Sequence, residues 1–134
     1  MSLPVSVDDV APMIAFDEVI RLDPAGITVR KIVRGEEDFF RGHYPGCPLY
    51  PGVFIIEGVH QASLHFGRTH GKRLTLLEIR SARFLSPVGP DETVEFECHF
   101  QIQPESQKLS IQATCRNGST PVAEVKLTYQ CEEM

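Results

Sequence analysis

The chain of 134 residues carries no basic excess; its formal net charge at pH 7 is −5. Such a balance argues against a nucleic-acid or anionic-membrane partner held by bulk electrostatics, while leaving room for a local basic patch. No apolar run approaches the roughly 18 residues that a membrane span requires. The opening stretch Met1-Ser2-Leu3-Pro4-Val5-Ser6-Val7-Asp8-Asp9 has neither the basic region nor the apolar centre of a signal peptide. The four cysteines, Cys47, Cys98, Cys115 and Cys131, form no CxxC pair and no metal-like rhythm, so they read as reduced thiols of a cytoplasmic protein. Internal repeats and low-complexity tracts are missing as well. The length suits a single domain over residues 1–134, with residues 1–12 a loosely structured lead-in.

What is present is a patterned chain with one unusual stretch. Phe16, Val19 and Ile20 stand among charges between Ile14 and Leu22, and the turn signal Asp23-Pro24-Ala25-Gly26 separates them from the β-branched run Ile27–Val33. That pairing predicts a hairpin. Four further strands are predicted over 74–85, 93–102, 109–115 and 122–129, split by Pro87-Val88-Gly89-Pro90-Asp91, Pro104-Glu105-Ser106-Gln107 and Asn117-Gly118-Ser119. Short connections favour antiparallel neighbours. Val94, Phe96, Cys98, Phe100 and Ile102 alternate with Glu95, Glu97, His99 and Gln101, as in a sheet with one wet face.

Between the hairpin and these strands lies the unusual stretch. Gly42-His43-Tyr44-Pro45-Gly46-Cys47-Pro48-Leu49-Tyr50-Pro51-Gly52 is a stiff Pro/Gly loop that runs into an apolar segment, Val53-Phe54-Ile55-Ile56-Glu57. Pro51 suits a first helical position, where its missing N–H costs nothing. The helix is predicted to end near Phe66, with Gly67 and Gly71 as stop signals. It is apolar nearly all round, which predicts a central helix enclosed by the sheet. Together these elements give an α+β fold, an antiparallel sheet of about six strands around one helix.

Two residues in this region ask for chemistry. His43 sits in a rigid turn, since Pro45 restricts the backbone of Tyr44. A neutral imidazole near pH 7 is a ready proton acceptor. Glu57 lies in a segment that otherwise favours burial, and burial raises a carboxylate's pKa towards the range of a working acid. Gln61, one helical turn further on, is placed to orient that carboxyl group. His60, His65 and His70 recur every five residues and so share no helical face. Arg68, Lys72, Arg73, Arg80 and Arg83 form the densest basic region, an ordinary solvated surface or a docking face for an acidic partner.

The run from Phe39-Phe40-Arg41-Gly42-His43 through Pro51-Gly52-Val53 to Glu57-Gly58-Val59-His60-Gln61 resembles the signature of the hot-dog-fold 3-hydroxyacyl-(acyl-carrier-protein) dehydratases. Ala82-Arg83-Phe84 and Pro87-Val88-Gly89-Pro90-Asp91 resemble the family more weakly. Tyr44 stands where that family commonly has phenylalanine, Leu49-Tyr50 where it has Val-Met, and His60 where it has a small residue or tryptophan. The resemblance implies elimination of water from a 3-hydroxyacyl thioester, with His43 and Glu57 catalytic. It implies that Gly52 offers its backbone N–H to the thioester carbonyl, and that Tyr44, Pro51, Val53 and Gln61 line the substrate site. It implies no cofactor, the acyl group riding on a phosphopantetheine arm of an acyl carrier protein or of coenzyme A. It further implies a homodimer, or a trimer of such dimers, with each site shared between two chains. Two rival readings share the fold: an acyl thioesterase, and a non-catalytic subunit that binds acyl carrier protein.

Overall fold

The computed structural model describes residues 15–34 and 50–134. The loosely structured lead-in expected over 1–12 and the loop that carries His43 and Tyr44 lie outside those residues. Six strands form one antiparallel sheet: β1 (Glu18–Asp23), β2 (Gly26–Ile32), β3 (Lys72–Phe84), β4 (Thr93–Gln103), β5 (Lys108–Asn117) and β6 (Thr120–Glu133). Their order across the sheet is β1-β2-β4-β5-β6-β3, which leaves β1 and β3 at its edges. Among the described residues one helix, α1 (Gly52–Thr69), lies against one face.

The turns form where the residue types demand them. The Asp23 carboxylate accepts from the Ala25 N–H at 2.8 Å and closes the β1–β2 hairpin. Gly118 turns the β5–β6 hairpin at φ 61°, a conformation that costs glycine nothing. Asp17 then fastens the start of β1, accepting from the Ile32 N–H at 2.6 Å and pairing with Arg34 at 2.8 Å.

The alternation read in β4 is seen directly: Val94, Phe96 and Cys98 are fully buried, while His99 and Gln101 are exposed. Ile102 departs from it at 50% exposed. On the other side of the core, Ile55, Val59, Ala62 and Phe66 face the sheet from one arc of α1. The layers approach closely at Gly58, where an added Cβ would sit 2.8 Å from the ring of Phe96. Phe96 is fully buried and has nowhere to swing. Gly58→Val is therefore expected to lower the unfolding free energy by about 2 kcal/mol through overpacking, measured by urea denaturation.

The helix departs from the sequence reading in two respects. It extends three residues past Phe66, to Thr69, because Gly67 is a packing residue and not a stop. A Cβ at Gly67 would meet the Leu74 side chain at 2.8 Å and the Lys72 carbonyl at 3.1 Å. The stop is Gly71, at φ 70°. Nor is the helix enclosed: Val53 is 65% exposed, and Ile56, Glu57, His60, Gln61 and Leu64 are only half-buried. They form an open stripe along the side of α1 turned from the core.

That stripe runs beside a second uncovered surface. In β3, Leu76 pairs with Tyr129, Ile79 with Leu127 and Phe84 with Ala123, so all three point to the helix side of the sheet. Yet Leu76, Ile79 and Phe84 are 36%, 50% and 52% exposed. Irregularities in the β3–β6 register fall at Leu77 and Arg80. A long edge strand with an apolar face is a surface that soluble proteins normally cover.

Candidate active site

The N-terminus of α1 is assembled from the Pro/Gly signal. Pro51 occupies the cap position with φ −63° and ψ 139°, and the helix proper begins at Gly52. Pro51 supplies no side-chain cap, and the first turn contains no acidic residue. The first-turn N–H groups therefore keep their partial positive charge for a partner from outside the helix. Phe54 is the exception, its N–H donating to the Pro51 carbonyl at 3.0 Å.

A cleft opens at this end of the helix, lined by Tyr50, Pro51, Gly52, Val53, Phe84 and Leu85 among others. Phe84 lies so close over the helix start that a Cβ on Gly52 would sit 2.9 Å from its ring. Only glycine lets an acceptor reach the backbone here without displacing that ring. Tyr50, 4% exposed, anchors the floor, with its N–H donating to the Val88 carbonyl at 2.7 Å.

Glu57 stands one and a half turns further along, on the open stripe. Its Oε1 accepts from the Gln61 Nε2–H at 2.6 Å, as the one-turn spacing allows. The carboxyl group is thus oriented, half-buried, and not engaged by any described cation. Beside it, His60 Nδ1 lies 2.6 Å from the Tyr129 hydroxyl, with the two rings parallel within 7°. Burial pulls the His60 pKa below 6.5, with the Glu57 charge opposing. Burial also pushes the Tyr129 hydroxyl pKa well up, so it stays an O–H group.

Of the residues singled out by sequence, Pro51, Gly52 and Val53 gather at the cleft, and Glu57 and Gln61 form a bonded pair. His43 and Tyr44 lie outside the described residues. Two participants were missed. Phe84 reads in the sequence only as the end of Ala82-Arg83-Phe84, although its position over Gly52 shapes the cleft. Tyr129 carries no local signal, because its contact with His60 spans 69 positions of sequence.

The three spaced histidines go to different places: His60 to Tyr129, His65 edge-on to Phe16 at 6.0 Å, and His70 to the Phe66 carbonyl at 2.9 Å. Among the described residues, no group of three or more His, Cys, Asp or Glu could hold a metal ion. The basic region is largely matched by acids. Lys72 pairs with Glu133, Arg73 stands opposite Glu132, Arg80 lies 3.8 Å from Glu78, and Arg83 lies 3.9 Å from Glu124. These are exposed pairs of small energetic worth. They make this face a solvated mixed surface and not a strong basic patch.

The described six-stranded antiparallel sheet packed against one long helix is the hot-dog fold. A thioesterase-like protein of Streptococcus pneumoniae TIGR4, solved with coenzyme A, shares this fold at TM-score 0.73 and 14% identity, over 87% of this chain and 86% of that one. The model of the ApeI-like family, described as ApeI dehydratase, matches residues 20–126, and the chain belongs to that family. Among curated relatives, the 3-hydroxyacyl-(acyl-carrier-protein) dehydratase FabZ of Chlamydia trachomatis serovar L2 is 32% identical over 127 residues, 88% of this chain and 82% of that protein. The FabZ of Wolbachia pipientis subsp. Culex pipiens is 38% identical over 96 residues, 67% of this chain. The chain spans 66% of that relative, just under two thirds of its length.

Proposed function

We propose that the protein dehydrates a 3-hydroxyacyl thioester, carried on the phosphopantetheine arm of acyl carrier protein, to the trans-2-enoyl thioester. The observation that carries this reading is the oriented Glu57–Gln61 pair on the open side of a helix whose N-terminus at Gly52 meets an apolar cleft. Each of these residues falls on the position that the dehydratase motif gives it.

In the proposed reaction His43 takes the α-proton, and the electron pair of that C–H bond forms the new double bond. The β-carbon–oxygen bond breaks as Glu57 delivers its proton, and water departs. Charge gathers on the thioester oxygen during the step. The N–H group at Gly52 meets it with a fixed dipole, a contribution of about 3 kcal/mol for a preorganised donor. The reaction is redox-neutral and calls for no cofactor. Val53, Pro51 and Tyr44 border the acyl group.

His43 and Glu57 come from two chains in this reading. The uncovered strip formed by Leu76, Ile79 and Phe84 beside the open stripe of α1 supports a homodimer joined along β3, and a trimer of such dimers is the larger assembly it allows. The donor is acyl carrier protein, with coenzyme A thioesters as smaller surrogates. No described helix is long and apolar enough to cross a membrane. The free, buried Cys98 and Cys115 suit a cytoplasmic setting.

A hot-dog thioesterase would use the same carboxylate to direct water at the carbonyl. One assay separates the two, following a 3-hydroxyacyl thioester for enoyl absorbance and free thiol together. Enoyl product without thiol is the expected result. Thiol without enoyl product would make the protein a thioesterase, and tight carrier binding with neither product would make it a non-catalytic subunit.

A further inference from the structure

Another cavity lies at the opposite end of α1, about 27 Å along the helix from Gly52. It encloses about 180 Å³ and is walled by Phe66, Leu74, Phe100, Ile102, Leu109 and Cys131. The strand register accounts for this lining. Ile102 pairs with Leu109, and Leu74 with Cys131, so these side chains share the helix side of the sheet. Phe66 reaches them from the last turn of α1, its ring stacked on Phe100 with centroids 3.8 Å apart. Leu74, Leu109 and Cys131 are almost wholly buried, whereas Ile102, half exposed, stands at the open rim.

The next row on the same face is charged. Two positions beyond Leu74 and Cys131 come Lys72 and Glu133, which form an ion pair across β3 and β6. Side chains alternate along a strand, so this pair stands on the cavity side of the sheet, and Lys72 itself lines the cavity. The pair is uneven. The Lys72 side chain is 31% exposed and that of Glu133 77%, so the cation is held against the protein while its partner reaches into water. His70, also at this end, donates from Nδ1 to the Phe66 carbonyl at 2.9 Å and stacks on the Phe66 ring. The lining includes no described carboxylate.

We propose that this cavity binds a short-chain carboxylic acid, the alkyl group lying among Phe66, Phe100 and Leu109 and the carboxylate replacing Glu133 on Lys72. Volume sets the length. An apolar cavity of about 150 Å³ takes a benzene molecule, so this one takes a chain of about six carbons. The rim sets the head group, because Lys72 already holds a carboxylate there. An exposed ion pair is worth little, so a ligand displaces Glu133 at small cost. Neither end of such a ligand touches the cleft at Gly52 or the Glu57–Gln61 pair, and the site stands apart from the dehydratase reading.

The test titrates hexanoate into the full chain, ¹³C-labelled at the isoleucine, leucine and valine methyl groups. Signals of Ile102 and Leu109 should shift and saturate with a dissociation constant of about 1 mM, ordinary for so small a ligand. Val53 and Leu85 report separately on the cleft at the far end of the helix. Glu133→Gln leaves Lys72 without its competing carboxylate and should tighten hexanoate by about two- to fivefold, the worth of one exposed pair. That gain should vanish in about 1 M salt. Hexanol, with the same chain and no charge, should gain nothing from the substitution. Cys131→Leu adds bulk inside the cavity and should abolish the shifts at Ile102 and Leu109. Should that variant fail to fold, Glu133→Gln still decides, since its side chain lies in water. No saturable shift at Ile102 and Leu109 up to about 20 mM hexanoate, a concentration well above the expected constant, overturns the proposal. So does a folded Cys131→Leu that binds as before, or a Glu133→Gln that leaves hexanoate unchanged or favours hexanol equally.

Discussion

Glu57→Gln is expected to cut kcat on a 3-hydroxyacyl thioester by about 10³-fold, within the range that positioned acid–base groups supply. The substitution keeps the shape of the side chain and a partner for Gln61, whose amide now holds only Glu57 Oε1 at 2.6 Å. In the proposed reaction it removes the proton that the departing hydroxyl takes up. Glu57 is only half-buried and the amide is nearly isosteric, so the melting temperature should stay within a few degrees of the wild type. His43→Ala should be equally inactive. Mixed with Glu57→Gln under conditions of subunit exchange, it should restore about a quarter of the wild-type rate. Half of the dimers would then be mixed, each keeping one intact site if sites are shared across a two-fold axis. Exchange without recovery would place both groups in one chain. A Glu57→Gln protein with near wild-type turnover would remove the acid from the mechanism altogether.

How far the sequence could be read depends on the range of the interaction concerned. The β1–β2 hairpin follows from Asp23-Pro24-Ala25-Gly26, because the turn is closed by the Asp23 side chain two residues away. The inward face of β4 follows from strict alternation. The Glu57–Gln61 pair follows from helical spacing alone. Each of these is a local rule.

Contacts between distant segments were not legible. Gly67 reads as a terminator until Leu74, across the next turn, is seen to occupy the space of its missing side chain. Leu76-Leu77-Glu78-Ile79 reads as part of a strand, and only the sheet order shows it at an edge with its apolar face uncovered. For the same reason the helix reads as fully enclosed, although the described sheet covers only one side of it. The basic residues reads as a cluster along the chain, but pairing with β6 sets acids opposite them. In the last three cases hydrophobicity and charge were visible, while what faces them was not.

The uncovered strip of β3 leads to the second large effect. Leu76→Glu combined with Ile79→Glu should give a folded monomer with less than about 1% of wild-type activity. Each position is at least a third exposed in the single chain, so the carboxylates meet water there and the core is left intact. In a dimer joined along β3 the same positions are covered. Removing the two apolar side chains forfeits about 1.5–3 kcal/mol each per chain, and burying two carboxylates costs further. The effect is counted twice at a two-fold interface, which brings the total above 6 kcal/mol by the same area rule and exceeds a four-decade change in dissociation constant. Light scattering coupled to size exclusion would read the mass, and circular dichroism would show whether the sheet persists. If activity depends on groups from two chains, it must fall with the dimer; a monomer that still turns over would mean that one chain builds the whole site. An unchanged dimer would move the interface off β3, and the apolar face beside the α1 stripe would then need another cover.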